Sequence, residues 1–107
     1  MKKVNVYLDD VRKAPEGFIL VKSMKELVHL FEEKEVGILS LDHDLGENTP
    51  TGYDFVKYFC LNNLEVDYIF LHTSNPVGRE NMYRMLINAQ KAEILSDKIK
   101  IYNHKYK

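Results

Sequence analysis

The sequence predicts an α/β domain built on a mainly parallel sheet of five strands, and three observations predict it. Apolar runs of strand length recur: Val4-Asn5-Val6-Tyr7-Leu8, Ile38-Leu39-Ser40-Leu41 and Tyr68-Ile69-Phe70-Leu71. The central run lacks the apolar/polar alternation of a half-exposed strand, which suits a strand covered on both faces. Amphipathic segments of helical period separate the later runs. Finally, each run stops abruptly in polar, ionisable residues: Asp9-Asp10, Asp42-His43-Asp44 and His72-Thr73-Ser74-Asn75. Open α/β sheets keep their sites where the strands leave the sheet.

Taken in order, residues 4–8 form the first strand. Val11 to Gly17 carries Pro15 and Gly17 and reads as a loop, and Phe18-Ile19-Leu20-Val21 is a second short strand. A parallel crossover needs about a dozen residues, more than this connector has. The second strand is therefore either an antiparallel edge or is reached by an irregular loop in place of a helix. Ser23-Met24-Lys25-Glu26 has the form of a capping box, and Met24, Leu27, Val28 and Phe31 mark one face of the helix that follows. Val36-Gly37 turns the chain into the central strand. Thr51-Gly52-Tyr53-Asp54 caps a second helix that buries Phe55, Val56, Phe59 and Cys60. Asn75-Pro76 opens the longest helix, since asparagine caps and proline fits the first helical position. Its stripe is Met82, Met85, Leu86, Ala89 and Ala92, ending near Leu95, and Lys98 to Tyr102 makes a last edge strand.

The 107 residues are read as one domain, and 45% hydrophobic with 29% charged residues place it among globular chains. Fifteen basic and sixteen acidic side chains, net charge −1, argue against bulk coating of nucleic acid. A single cysteine, Cys60, excludes an intramolecular disulfide and fits a reducing compartment. The start of the chain is too short in apolar residues for a signal peptide or membrane span, so a cytoplasmic protein without membrane contact is expected.

Strands ending at Asp9, Asp42 and His72 and lying side by side would gather Asp9, Asp10, Asp42, His43, Asp44, His72, Thr73, Ser74 and Asn75 in one crevice. The start of the long helix, Val77-Gly78-Arg79, offers an anion seat with Arg79 as its fork, and Arg12 a second phosphate contact. Two imidazoles can divide general base and general acid work at one phosphorus. The carboxylates Asp9, Asp10, Asp42 and Asp44 would repel one another unless they orient the histidines or hold a divalent cation such as Mg2+. Plainer roles stand beside these. Asp10 and Asp44 can cap turns, Asn75 can simply cap its helix, and Arg79 can pair with Glu80 or Asp54. His29 and His104 read as surface residues. Asp42 to Glu47 does not have the spacing of an EF-hand.

Leu8-Asp9-Asp10-Val11-Arg12, Ser40-Leu41-Asp42-His43-Asp44-Leu45-Gly46 and His72-Thr73-Ser74-Asn75-Pro76 together resemble the cyclic-phosphate-processing branch of the two-component receiver superfamily. That resemblance spans nearly the whole chain. It implies a flavodoxin-like, three-layer sandwich with a reduced set of helices, and acidic positions Asp9, Asp10 and Asp42 that hold magnesium. It also implies that His43 and His72 act on a cyclic phosphate. The chain departs from an ordinary receiver in having no room for the first helix, in stopping just after the last strand, and in having no lysine clearly placed for a phosphoryl group, although Lys98 and Lys100 are near.

The expected function is thus a phosphoesterase that processes cyclic phosphates, on nucleotides or on RNA 2′,3′-cyclic ends. His43 and His72 are its acid and base, and Arg12, Thr73, Ser74, Asn75, Gly78 and Arg79 hold the phosphate. The alternative of a different class is a non-catalytic signalling or interaction module phosphorylated at Asp42. A third is a metal-binding regulatory domain without chemistry.

Overall fold

The structure, a computed structural model, describes residues 2–107. Eight elements follow one another: β1 Val4–Leu8, β2 Phe18–Val21, α1 Met24–Glu33, β3 Val36–Leu41, α2 Gly52–Leu61, β4 Tyr68–Leu71, α3 Pro76–Lys91 and β5 Lys100–Tyr102. The five strands form one sheet in the order β2-β1-β3-β4-β5, and every neighbouring pair is parallel. This is the strand order of flavodoxin-like doubly wound sheets.

The antiparallel option for β2 is therefore corrected. Residues 9–17 return from the end of β1 to the start of β2 as an irregular connection without a helix. Nine residues reach up to ~30 Å when extended, and β1 is only about 17 Å long, so a loop suffices where a helix has no room.

Three connections, β2-α1-β3, β3-α2-β4 and β4-α3-β5, step across the sheet in the same direction. Right-handed crossovers then place all three helices on one face. The helices pack side by side there, with the Phe31 ring 5.7 Å from Phe55 and 6.2 Å from Phe59. Beneath them Val6, Leu8, Leu39, Leu41, Ile69 and Leu71 are shut off from solvent. Each such side chain contributes about 1.5–3 kcal/mol by leaving water. Tyr7, Ser40, Phe70 and Tyr102 stand in register on the opposite face. Among the described residues no helix covers them. Instead the C-terminal residues cross this face, and the Tyr106 ring lies 4.9 Å from Phe18 and 5.3 Å from Phe70. Among the described residues, the third layer is this strap.

Smaller differences have local causes. Ser23 Oγ accepts from Glu26 N (3.2 Å), but the Glu26 carboxylate takes Lys22 N (2.9 Å) rather than closing the box on Ser23. The reciprocal box forms at Thr51 and Asp54 instead. Val36-Gly37 belongs to β3 and not to a turn, because Asn5 Oδ1 accepts Ile38 N beside a shift of register between β1 and β3. Helix α3 ends at Lys91, where Glu93 adopts φ 62, so Ala92 is exposed and Leu95 enters the core from a loop. The last strand is shorter than expected, Lys100–Tyr102.

Candidate functional site

Asp9 leaves β1 almost fully buried. Its Oδ1 accepts the backbone amides of Val11 (2.9 Å) and Arg12 (2.8 Å), and its Oδ2 lies 2.9 Å from His72 Nε2. Burial opposes ionisation of Asp9, but those two amides and the imidazole more than offset it and hold the carboxyl below the usual carboxylate range. His72 follows β4 with its side chain 2% exposed. Its ring stacks flat on Tyr7, centroids 4.1 Å apart, and its Nδ1 lies 2.7 Å from Ser40 Oγ on β3. Burial pushes the His72 imidazole below its ordinary value despite the attraction of Asp9 and Asp42. A neutral ring has one N–H and one lone pair. The N–H serves the Asp9 carboxylate, and the Ser40 hydroxyl donates to Nδ1. Neither ring nitrogen remains for a substrate in this arrangement.

The second histidine is placed differently. His43 N donates to Asp42 Oδ1 (2.8 Å), and its ring Nδ1 lies 2.9 Å from Asp44 Oδ1. Asn75 Nδ2 donates to the other Asp44 oxygen (3.1 Å). The hydrogen bond from His43 holds the Asp44 carboxyl below its ordinary range against the opposing effect of burial, with Asn75 adding a smaller lowering effect. The His43 side chain is 17% exposed and Asp44 65%. The imidazole lies flush against Gly78 at the start of α3, where any Cβ would collide with it. Gly52 is pressed in the same way against the Asp42 carbonyl, which fixes α2 against the end of β3.

A cavity of about 340 Å³ opens between these strand ends, lined by Asp10, Arg12, Asp42, Asp44, Thr73 and Ser74, with Asp9 at its base. It holds four carboxylates against the single guanidinium of Arg12. That guanidinium is already engaged, its Nη1 donating to the His72 carbonyl at 2.8 Å and standing 3.8 Å from Asp9 Oδ2. Neither imidazole forms part of the wall; each stands behind a carboxylate, His72 behind Asp9 and His43 behind Asp44.

Most of the expected residues thus meet, and some do not. Gly78 N is taken by the Asn75 side chain (3.0 Å), and Arg79 N donates to the Asn75 carbonyl (2.9 Å). With His43 packed on Gly78 as well, the expected anion seat at the start of α3 is filled by the protein itself. Arg79 turns away from the crevice, its Nη1 donating to the Thr73 carbonyl at 3.2 Å. It pairs with neither Glu80 nor Asp54, which face Arg84 and Lys57. Sequence reasoning missed Ser40 and Tyr7, the partners of His72; a lone serine within an apolar strand was the available signal. It also missed Lys105 and passed over His104, which is exposed but lines a second cavity with Arg79.

The model of the cyclic-phosphate processing receiver domain matches residues 4–88. The chain belongs to this family. No curated protein matches it. Among solved structures, this receiver domain is similar to the RcsB response regulator of Salmonella typhimurium, with 15% identity and a TM-score of 0.49. The alignment covers 96% of this chain and 53% of that one, so the chain spans about half its length. Among the described residues of the receiver domain, no helix is long and apolar enough to cross a membrane.

The receiver domain also brings together one potential metal-ligand atom each from Asp9, Asp42 and His72, all within 4.8 Å of one another. As a set of donors it is mixed. Magnesium takes oxygen ligands and retains waters, which suits Asp42, Asp9 and the nearby Asp10. The His72 nitrogen would suit a transition metal better, and it is already committed to Asp9.

Proposed function

We propose that this receiver domain is a phosphoesterase that opens cyclic phosphates, on nucleotides or on RNA 2′,3′-cyclic ends, and that the His43–Asp44 pair moves the proton. Membership of the family supports the substrate class. The observation that carries the assignment within the site is the asymmetry of the two histidines: His72 has both ring nitrogens bonded inside the protein. His43 has only Nδ1 engaged among the described residues, and its partner Asp44 faces the crevice. The expected equal division of acid and base between His43 and His72 gives way to unequal roles. His72 holds Asp9 and, through its carbonyl, Arg12, while His43 and Asp44 are the proton-transfer unit.

In this reading a water is activated beside Asp44, His43 takes up its proton, and the oxygen attacks the ring phosphorus. One P–O bond of the ring breaks, the freed alkoxide oxygen takes the proton that His43 had accepted, and a phosphomonoester remains. Arg12, with Thr73 and Ser74, faces the non-bridging oxygens. Four carboxylates around one guanidinium repel a phosphate anion, so a divalent cation of the magnesium type belongs in the proposal. Asp9, Asp10 and Asp42 would hold it, and when bound it would offset that charge and polarise the phosphoryl oxygens.

The test is turnover of 2′,3′-cyclic and 3′,5′-cyclic nucleotides and cyclic-ended RNA, followed by phosphorus NMR with and without Mg2+. Ring opening of at least one substrate, with faster turnover in Mg2+, is expected. Absence of turnover on every substrate would contradict the reading. It would move weight to the second one, a non-catalytic receiver-like module phosphorylated at Asp42. One observation favours that alternative: among the described residues, Asp42 lines the crevice with only its Oδ1 held, by His43 N. It requires labelling by acetyl phosphate that is lost in Asp42→Asn.

A further inference from the structure

Behind Thr73 lies a second cavity of about 350 Å³, formed by Arg79 of α3, the end of β4 and the strap residues Asn103, His104 and Lys105. Its charge is the reverse of the crevice. Arg79, Lys105 and His104 line it, and among the described residues no carboxylate does. Arg79 spends Nη1 on the Thr73 carbonyl, which fixes the guanidinium and leaves its other donors. His104 donates Nδ1–H to the Lys105 carbonyl (3.0 Å), which leaves Nε2 as an acceptor on the neutral ring and a donor only on the imidazolium.

The strap is not placed at random. The His104 carbonyl accepts Leu71 N (3.1 Å), which continues the β4–β5 contact beyond the sheet. Tyr106 is anchored on Phe18 and Phe70, and the Tyr102 ring stacks on Phe70 at 4.9 Å. These aromatic contacts on both sides of residues 103–105 hold His104 and Lys105 over the end of β4. Thr73 is shared by the two cavities.

We propose that the Arg79–His104–Lys105 cavity is a phosphate subsite, distinct from the acidic crevice and next to it. A planar guanidinium and an ammonium lining one cavity, with no carboxylate in its described lining, offer donors to a phosphate group. Two neighbouring cavities of opposite charge fit a ligand with two phosphates, one seated through a cation in the crevice and one held directly in the basic pocket. Its extension to catalysis rests on the proposed function: the substrate is then a nucleotide or RNA end carrying a second phosphate beside the cyclic one.

The experiment reads binding and not turnover, so it stands or falls separately from the phosphoesterase reading. Amide chemical shifts of the 15N-labelled full chain are followed during titration with inorganic phosphate and with adenosine 5′-monophosphate, in EDTA to remove divalent cations. Shifts centred on Thr73, Arg79, His104 and Lys105 are expected. Binding should weaken at least about tenfold in Arg79→Gln and in Lys105→Gln, and stay within about twofold in Lys107→Gln. Tighter binding of the nucleotide than of inorganic phosphate assigns the pocket to a nucleic-acid or nucleotide phosphate; the reverse order assigns it to the free anion. No saturable shift, shifts centred elsewhere, or equal affinity in both pocket variants would overturn the proposal. Lys105→Gln lies on the exposed strap, so folding does not confound that arm.

Discussion

The two histidine–aspartate pairs of this domain share a nitrogen–oxygen separation of 2.9 Å and stand in opposite settings. Asp9 and His72 are 1% and 2% exposed and come from strands far apart in sequence; His43 and Asp44 are adjacent, 17% and 65% exposed. The buried pair is saturated. Two backbone amides, a serine hydroxyl and a stacked tyrosine complete it, so every polar atom is satisfied where water cannot reach. Breaking such a network costs stability, and opening it to a substrate would break it. The surface pair is completed on one side only, by Asn75 and the flat contact with Gly78, and it adjoins the crevice. Geometry and burial, not residue type, separate an imidazole with both ring nitrogens held from one with a single nitrogen engaged among the described residues.

The largest expected effect of testing that contrast falls on the buried pair. His72→Ala leaves Ser40 Oγ without its hydrogen-bond partner, leaves Asp9 Oδ2 with only the distant Arg12 guanidinium, and opens a void against Tyr7, a loss on the order of 3 kcal/mol. Urea unfolding should show the midpoint falling at constant slope; a change below about 1 kcal/mol would mean that the pair does not support the fold. Gly78→Ala comes next. The added methyl collides with the His43 ring and must displace it, so turnover per folded molecule should fall about tenfold and stability by about 1–3 kcal/mol, only partly offset by alanine's preference for the helix. Unchanged turnover would release His43 from its proposed role.

A third consequence is a pH window. The folded value of His72 lies below the ordinary histidine value of about 6.5. The unfolded chain therefore takes up this proton first. The stabilisation is complete above about pH 6.5 and declines as pH falls toward the depressed folded value. Asp9, also depressed, extends the loss to lower pH as its carboxylate is protonated. Wild type should lose stability between pH 7 and 5, and His72→Gln should be flatter across the same window; parallel curves would remove His72 from the linkage. The smallest effect belongs to Asp44→Asn, whose exposed pair should change stability by less than about 0.5 kcal/mol. A loss comparable to that of His72→Ala would erase the distinction between the pairs.

Much of this was legible in the chain. The parallel sheet followed from unalternating apolar runs, and the site from the polar residues at their ends. Helices α2 and α3 followed from Thr51, Asp54, Asn75 and Pro76. What the sequence did not disclose depended on neighbours that only folding supplies. Nothing local indicates that Ser40 occupies the second nitrogen of His72, or that His43 stands behind Asp44 rather than in the crevice wall. The α3 N-terminus looked open because Asn75 and His43 are brought to it by tertiary packing. The strap that carries His104 and Lys105 past Arg79 depends on Tyr106 reaching Phe18, a contact between the two ends of the chain.

The most direct test of the unequal roles is ring-opening turnover of a nucleoside 2′,3′-cyclic phosphate by His43→Gln and His72→Gln side by side, each rate normalised to the folded fraction measured in the same buffer. A loss of at least about 100-fold in His43→Gln, with His72→Gln within about tenfold of wild type per folded molecule, is the expected result. A fully folded His72→Gln that has lost turnover, beside a His43→Gln that retains it, would contradict the assignment and put the buried imidazole in the chemistry.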